Sequence, residues 1–132
     1  MKTKNIIIII ILITFTLFLL PGVRAPHLFK AITKAKWDSI RSKMAPIEAA
    51  IYTYKLNTGN LPDKLEDLIY CPDKLKDVWK GPYLKEKQLY DLWDNPYVYQ
   101  INPNDPNSYV LISYGTDGEP GGEGYDADIY ND

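Results

Sequence analysis

The chain has 132 residues, of which 45% are apolar, and its 15 Lys/Arg against 17 Asp/Glu give a net charge of −2. That length allows one domain of ordinary size, and the charge excludes a strongly basic nucleic-acid-binding protein. With one Cys and one His, neither an intramolecular disulfide nor a zinc site of thiolates and imidazoles is expected.

The first 25 residues form a hydrophobic membrane-anchor or signal segment. Residues 6–20 are apolar apart from two threonines, and Lys2 and Lys4 precede them. The run is short for a spanning helix, which needs about 20 residues, and has the size of a secretory-signal core. In either case residues 26–132 are expected to lie outside the cytoplasm.

One long helix is predicted after this segment. The spacing of its apolar residues is 3, 4, 3, 4 and 3, which places them on one helical face; they are Trp37, Ile40, Met44, Ile47, Ile51 and Tyr54. The charged residues between them, including Lys36, are expected to be solvated. The sequence of residues 57–60, Asn-Thr-Gly-Asn, predicts the end of the helix.

Shorter elements follow. Leu65, Leu68 and Ile69 predict a short helix, and Cys71 after it is expected to be a small buried residue. Residues 97–101 and 109–113 predict two strands joined by a hairpin loop at 102–108. The fold class is therefore α+β, with a long N-terminal helix packed on a small antiparallel sheet.

The C-terminal region is acidic and rich in glycine. No Lys or Arg follows Lys87, whereas nine acidic residues do: Asp91, Asp94, Asp105, Asp117, Glu119, Glu123, Asp126, Asp128 and Asp132. If the loop after residue 115 folds on itself, its carboxylates repel one another, and a bound calcium ion would relieve that repulsion. A disordered acidic tail is the alternative, although Tyr125, Ile129 and Tyr130 could anchor the segment.

Catalysis is not expected. One His and one Cys leave only carboxylate chemistry, and a solvated turn around Trp93 accounts for Asp91 and Asp94. The chain is therefore interpreted as a non-enzyme with no small-molecule substrate and no nucleic-acid partner.

Four segments in this order resemble the G-type, or major, pseudopilin of bacterial type II secretion. They are Ile51–Pro62, Trp79–Leu84, Asp91–Tyr97, and Ser113–Gly124 with Ala127–Ile129. The resemblance covers residues 26–132 and implies a pilin-like periplasmic domain with a C-terminal calcium-binding loop. By position, the implied ligands are Asp117, Asp128 and Asp126, with backbone carbonyls near Ile112 to Tyr114, and the ion is expected to hold the C-terminus down.

The resemblance also implies a function in protein export. It implies a structural subunit that polymerises with other copies and works with the secretion machinery, anchored by a single pass in the bacterial inner membrane. Self-association is expected through the N-terminal segment, so that residues 26–132 alone stay monomeric. The Gly-Phe-Thr-Leu-Ile-Glu-like processing site of the family is absent. A secreted or tethered calcium-stabilised binding module that does not polymerise therefore stays open as an alternative.

Overall fold

The computed structural model describes residues 26–131, with side chains from Lys34 onward. The predictions for residues 1–25 lie outside the described residues. Residues 33–131 belong to one compact unit, called the head here.

The head is built on helix α1, Pro26–Thr58. The predicted apolar face is confirmed, since it is almost completely buried from Ile40 to Tyr54. Trp37, nearer the start of α1, stays 38% exposed. The predicted end is confirmed at Thr58, where the N–H of Gly59 donates to the Lys55 carbonyl at 2.8 Å.

Three short 3-10 helices, Leu65–Leu68, Asp73–Leu75 and Glu86–Leu89, connect α1 to the sheet. Leu65 and Leu68 are buried as predicted. The prediction for Cys71 is wrong, because its side chain is exposed. It lies in the turn after the first 3-10 helix, between the exposed Tyr70 and Pro72, so that it points away from the core.

The sheet has three antiparallel strands in the order β1 (Val98–Asn102), β2 (Asp105–Ser113) and β3 (Ile129–Tyr130). The predicted hairpin is confirmed, but its loop is shorter than expected because β2 begins at Asp105. The register shifts between Ile101 and Asn102, so residues 106–108 have no partners on β1. Pro106 is accommodated at this irregularity, where a missing ladder N–H has no cost.

The core joins α1 to the sheet. Leu111 of β2 and Ile129 of β3 belong to the same buried cluster as the inner face of α1. β3 was not predicted as a strand, because two residues are too few to show a pattern. Its pairing with β2 brings the C-terminal end of the chain back onto the head, so the acidic segment between β2 and β3 is a closed loop.

Candidate functional site

The acidic loop, residues 114–128, leaves the sheet after β2 and returns at β3. Two of its glycines have positive φ and lie against the backbone of the returning segment. A Cβ on Gly115 would lie 2.7 Å from the Tyr125 carbonyl oxygen, and one on Gly122 would lie 2.5 Å from the Asp126 carbonyl oxygen. The loop can therefore close this tightly only with glycine at these positions.

The three predicted carboxylate ligands lie at different places on this loop. Asp117 is exposed, and its Oδ1 accepts the N–H of Glu119 at 3.1 Å. Asp128 is half-buried; its Oδ1 accepts the N–H of Gly121 at 2.9 Å, and its Oδ2 accepts the Tyr130 hydroxyl at 3.3 Å. Asp126 is half-buried as well, with its backbone against Gly122.

The surroundings of Tyr130 raise the pKa of its hydroxyl. Desolvation raises the pKa of its hydroxyl, and the carboxylate of Asp128 raises that pKa further, since a phenolate there would face a second negative charge.

The two predicted carbonyl ligands lie at the start of the loop. Ile112 is in β2, paired with Val98 on one side and Tyr130 on the other. Tyr114 is the first residue after β2 and is half-buried. Ile112 is therefore in the strand from which the loop departs, and Tyr114 is the first residue of the loop.

The donor set suits calcium in kind, because carboxylate and carbonyl oxygens are the ligands that this ion takes. Within residues 26–131, however, no three Asp, Glu, His or Cys side chains are gathered closely enough to hold a metal ion together. Two of the three carboxylates instead accept backbone N–H groups of the loop. Calcium binding would thus require these carboxylates to turn toward a common centre.

Asp91 supports the segment from which the loop departs. The prediction that it lies on a solvated face is wrong. Its side chain is 4% exposed. Oδ1 accepts the N–H groups of Trp93 and Asn95 at 2.9 and 3.0 Å, and Oδ2 accepts the Ser113 hydroxyl at 2.6 Å. Asp91 therefore ties the turn at 91–95 to the last residue of β2, where the acidic loop begins.

Asn95 extends this support into the loop itself. Its Nδ2 donates to the Gly115 carbonyl at 2.9 Å, and its side chain lies against Gly118. The sequence predicts a turn around Trp93 but not this contact with Gly115, because the hydrogen bond spans 20 positions.

Lys36 contacts the loop from α1, which corrects the expectation that it is solvated. Its side chain is half-buried, with Nζ 4.3 Å from the ring centroid of Tyr125 and 5.6 Å from that of Trp93. A basic side chain of α1 thus lies against the acidic loop.

Asn131 fixes the end of the chain after the loop. It exchanges hydrogen bonds with the backbone of Leu111 at 2.8 and 3.1 Å, and its Nδ2 donates to Glu48 Oε1 of α1 at 3.0 Å. With Ile129 buried, these contacts hold the C-terminal strand against the rest of the head.

A second candidate surface is the outward face of α1. Ala45, Ala49, Tyr52 and Leu56 are spaced 4, 3 and 4 residues apart, on the side roughly opposite the buried face. All four are exposed, Tyr52 by 65% and Leu56 by 66%. This uncharged surface is called the outer stripe here.

No described helix is both long and apolar enough to cross a membrane. The apolar run at residues 6–20 lies outside the described part of the chain.

Comparison with known proteins gives one consistent result. Residues 27–132 match the family described as type II secretion system (T2SS), protein G. The type II secretion system core protein G of Xanthomonas campestris is 36% identical over 129 residues, covering 98% of this chain and 86% of that protein. The protein of the same name from Pseudomonas aeruginosa is 32% identical over 92% of this chain and 89% of its own length.

The fold has a close structural relative as well. The crystal structure of the major pseudopilin from the type 2 secretion system of enterohaemorrhagic Escherichia coli matches with a TM-score of 0.62 and 23% identity. The match covers 83% of this chain and 97% of the other. It confirms the predicted pilin-like fold.

Proposed function

Because the chain belongs to the family of type II secretion system protein G, we propose that it assembles with copies of itself into a pseudopilus that supports protein export. The family is one of structural pseudopilins associated with the bacterial cell envelope, not of enzymes. The alternative of a binding module that does not polymerise is not favoured, since the likeness to the Xanthomonas protein extends over 98% of the chain.

The outer stripe is the observation that supports assembly. Tyr52 and Leu56 project into solvent from a helix whose opposite face is already buried in the core. A face of this kind that meets a different face of the next copy generates an open helical polymer. The stripe is small, so it acts between copies that a membrane segment already concentrates, and the isolated head stays monomeric.

The apolar segment at residues 6–20 supports placement in the inner membrane, with a single pass and the head in the periplasm. N-terminal sequencing of the mature protein tests this placement. An intact N-terminus, or a cut before the apolar run, retains the anchor. A cut after Ala25 releases the head and contradicts the proposed placement.

Photo-crosslinking tests the proposed assembly directly. Benzoylphenylalanine replaces Tyr52 in the full chain, expressed in a bacterium that has a type II secretion system. We expect a ladder of crosslinked copies after irradiation, because each reactive ring would contact its neighbour. The control is the same substitution at Tyr70, which is 59% exposed but lies outside α1. A ladder from position 70 and none from position 52 would exclude the outer stripe as the contact.

Calcium binding by the acidic loop is the second part of the proposal. Asp117, Asp126 and Asp128 would supply carboxylate oxygens, and the carbonyls of Ile112 and Tyr114 would complete the shell. A doubly charged cation would turn the repulsion among the carboxylates into attraction, so it would hold the loop closed. A weak site suffices outside the cytoplasm, where extracellular modules bind calcium at roughly 10⁻⁴ to 10⁻³ M.

Thermal unfolding measures this effect. With calcium 100-fold above its dissociation constant, a site present only in the folded state stabilises by about 2.7 kcal/mol. For a domain of this size the melting temperature then rises by more than about 10 °C. Asp117→Asn should abolish most of the rise, whereas Glu119→Gln, an exposed residue in the same loop, should preserve it. Equal midpoints with calcium, magnesium and chelator would show that the loop binds no calcium.

A further inference from the structure

The ammonium group of Lys36 lies over two aromatic rings that come from different parts of the chain. The ring of Tyr125 belongs to the acidic loop and that of Trp93 to the turn at 91–95; their centroids are 4.3 and 5.6 Å from Nζ. Both distances lie within the range in which a cation is attracted by the face of a ring. Lys36 therefore contacts the loop and its supporting turn at the same time.

The backbones of both aromatic residues are held by hydrogen bonds that do not involve Lys36. The N–H of Trp93 donates to the buried Asp91 at 2.9 Å. The carbonyl of Tyr125 accepts the backbone N–H and the hydroxyl of Thr116 at 3.1 and 2.9 Å. Both rings therefore project from backbone positions that are already hydrogen-bonded within the head.

The charge pattern of the chain limits where a cation against Tyr125 can come from. No Lys or Arg follows Lys87 in the sequence, so a cation against Tyr125 must come from an earlier element. We propose that Lys36 is a positioning residue that fastens the acidic loop to residues 34–39 of α1. The proposal rests on the described contacts alone and does not depend on assembly or on calcium.

The contact also couples two segments that are far apart in sequence. Lys36 precedes Ile40, the first residue of α1 that is completely buried. Since a linkage acts equally in both directions, the loop should protect residues 34–39 of α1 as much as the helix protects the loop. Loss of the Lys36 charge should therefore loosen residues 115–128 and residues 34–39 together, which a purely local effect on the helix would not do.

Hydrogen exchange measured by mass spectrometry tests this coupling. The full chain is studied in detergent with chelator present, as the native sequence and as Lys36→Met and Lys34→Met. Lys34 is exposed on another side of α1, so its variant controls for loss of one positive charge. We expect Lys36→Met to raise exchange about fivefold in both segments, from the usual strength of one such contact. Unchanged exchange in β1 and β2 verifies that the head is folded.

Three further variants test the chemistry of the contact. Tyr125→Phe keeps the ring face and should preserve protection, whereas Tyr125→Leu should lose it; Lys36→Arg should retain most of it. Equal exchange in Lys36→Met and Lys34→Met, or equal losses in the two Tyr125 variants, would overturn the proposal. Repeating the exchange measurement with calcium in place of chelator tests the metal site separately. If calcium does not slow exchange in the acidic loop, the metal site is refuted and the Lys36 contact is unaffected.

Discussion

Asp91 shows at the scale of a single residue how the head supports its acidic loop. A carboxylate that is 4% exposed carries a desolvation cost, which three hydrogen bonds from Trp93, Asn95 and Ser113 offset. Sequence reasoning could place this residue in a turn. It could not show that Ser113, 22 positions later, donates to it.

Removing this carboxylate should therefore cost more than a turn residue normally does. Asp91→Ala leaves two N–H groups and one hydroxyl without their acceptor, and we expect a loss of about 3 kcal/mol in the free energy of unfolding. Asp94→Asn is the control, because Asp94 is exposed with φ 63°, a conformation that Asn also tolerates, and its effect should stay within about 0.5 kcal/mol. Chemical denaturation measures both. Similar losses in the two variants would contradict the role given to Asp91.

The buried tyrosines predict how stability depends on alkaline pH. Burial, with nearby Asp67 and Asp63, raises the pKa of Tyr54 to about 12, and burial raises the pKa values of Tyr97 and Tyr99 as well. The folded state therefore keeps protons that the unfolded state releases above the ordinary pKa of 10.0. The contribution of these tyrosines to stability should be constant below pH 10 and should fall as the pH rises through 12.

Tyr54→Phe removes one of these groups. We expect its free energy of unfolding to fall less steeply between pH 10 and 12 than that of the native chain, in denaturation series at fixed temperature. Identical slopes would mean that Tyr54 ionises as readily in the folded head as in the unfolded chain.

At the scale of elements, α1 has two faces with different tasks. Its inner face was predictable, because apolar residues at helical spacing need a core to cover them. The outer stripe was harder to see in the sequence, since Ala45 and Ala49 are unremarkable in any helix. Only the structure shows that Tyr52 and Leu56 are exposed and are not packed against the described head.

Adjacent residues of α1 separate these two faces experimentally. Ile51 is 1% exposed and Tyr52 is 65% exposed. Ile51→Asp places an unpaired carboxylate in the core and should abolish the cooperative thermal transition of the head. Tyr52→Asp places the same group in water and should change stability by less than about 1 kcal/mol. A soluble, cooperatively melting Ile51→Asp variant would contradict the packing of α1.

The sheet shows why some elements escape prediction. β1 and most of β2 have enough alternating or β-branched residues to be recognised. β3 consists of two residues whose conformation depends on Ile129 entering the core and on Asn131 bonding to Leu111. Information of that kind is tertiary and has no local pattern.

For the whole molecule, the fold and the family can be predicted from the sequence more readily than the contacts that join α1 to the C-terminal part of the chain. The order of four motifs indicated the type II secretion protein G family, and the family match over residues 27–132 confirms it. The contact of Lys36 with Tyr125 and that of Asn131 with Glu48 join α1 to the C-terminal part of the chain. Both contacts depend on the tertiary fold, so the sequence does not predict either of them. The predicted calcium ligands stay a prediction.

Assembly is the central claim, and Tyr52→Asp tests it without disturbing the fold. The measurement is the fraction of the full chain recovered in sedimentable polymers from bacteria that have a type II secretion system, for the native chain and for Tyr52→Asp. Thermal melting of both proteins verifies that the heads are intact. We predict polymers of the native chain and a loss of at least about tenfold for Tyr52→Asp, because a charge would be buried in the outer stripe contact. A native chain found only as monomers, or a Tyr52→Asp variant that polymerises as well as the native chain, would contradict this account.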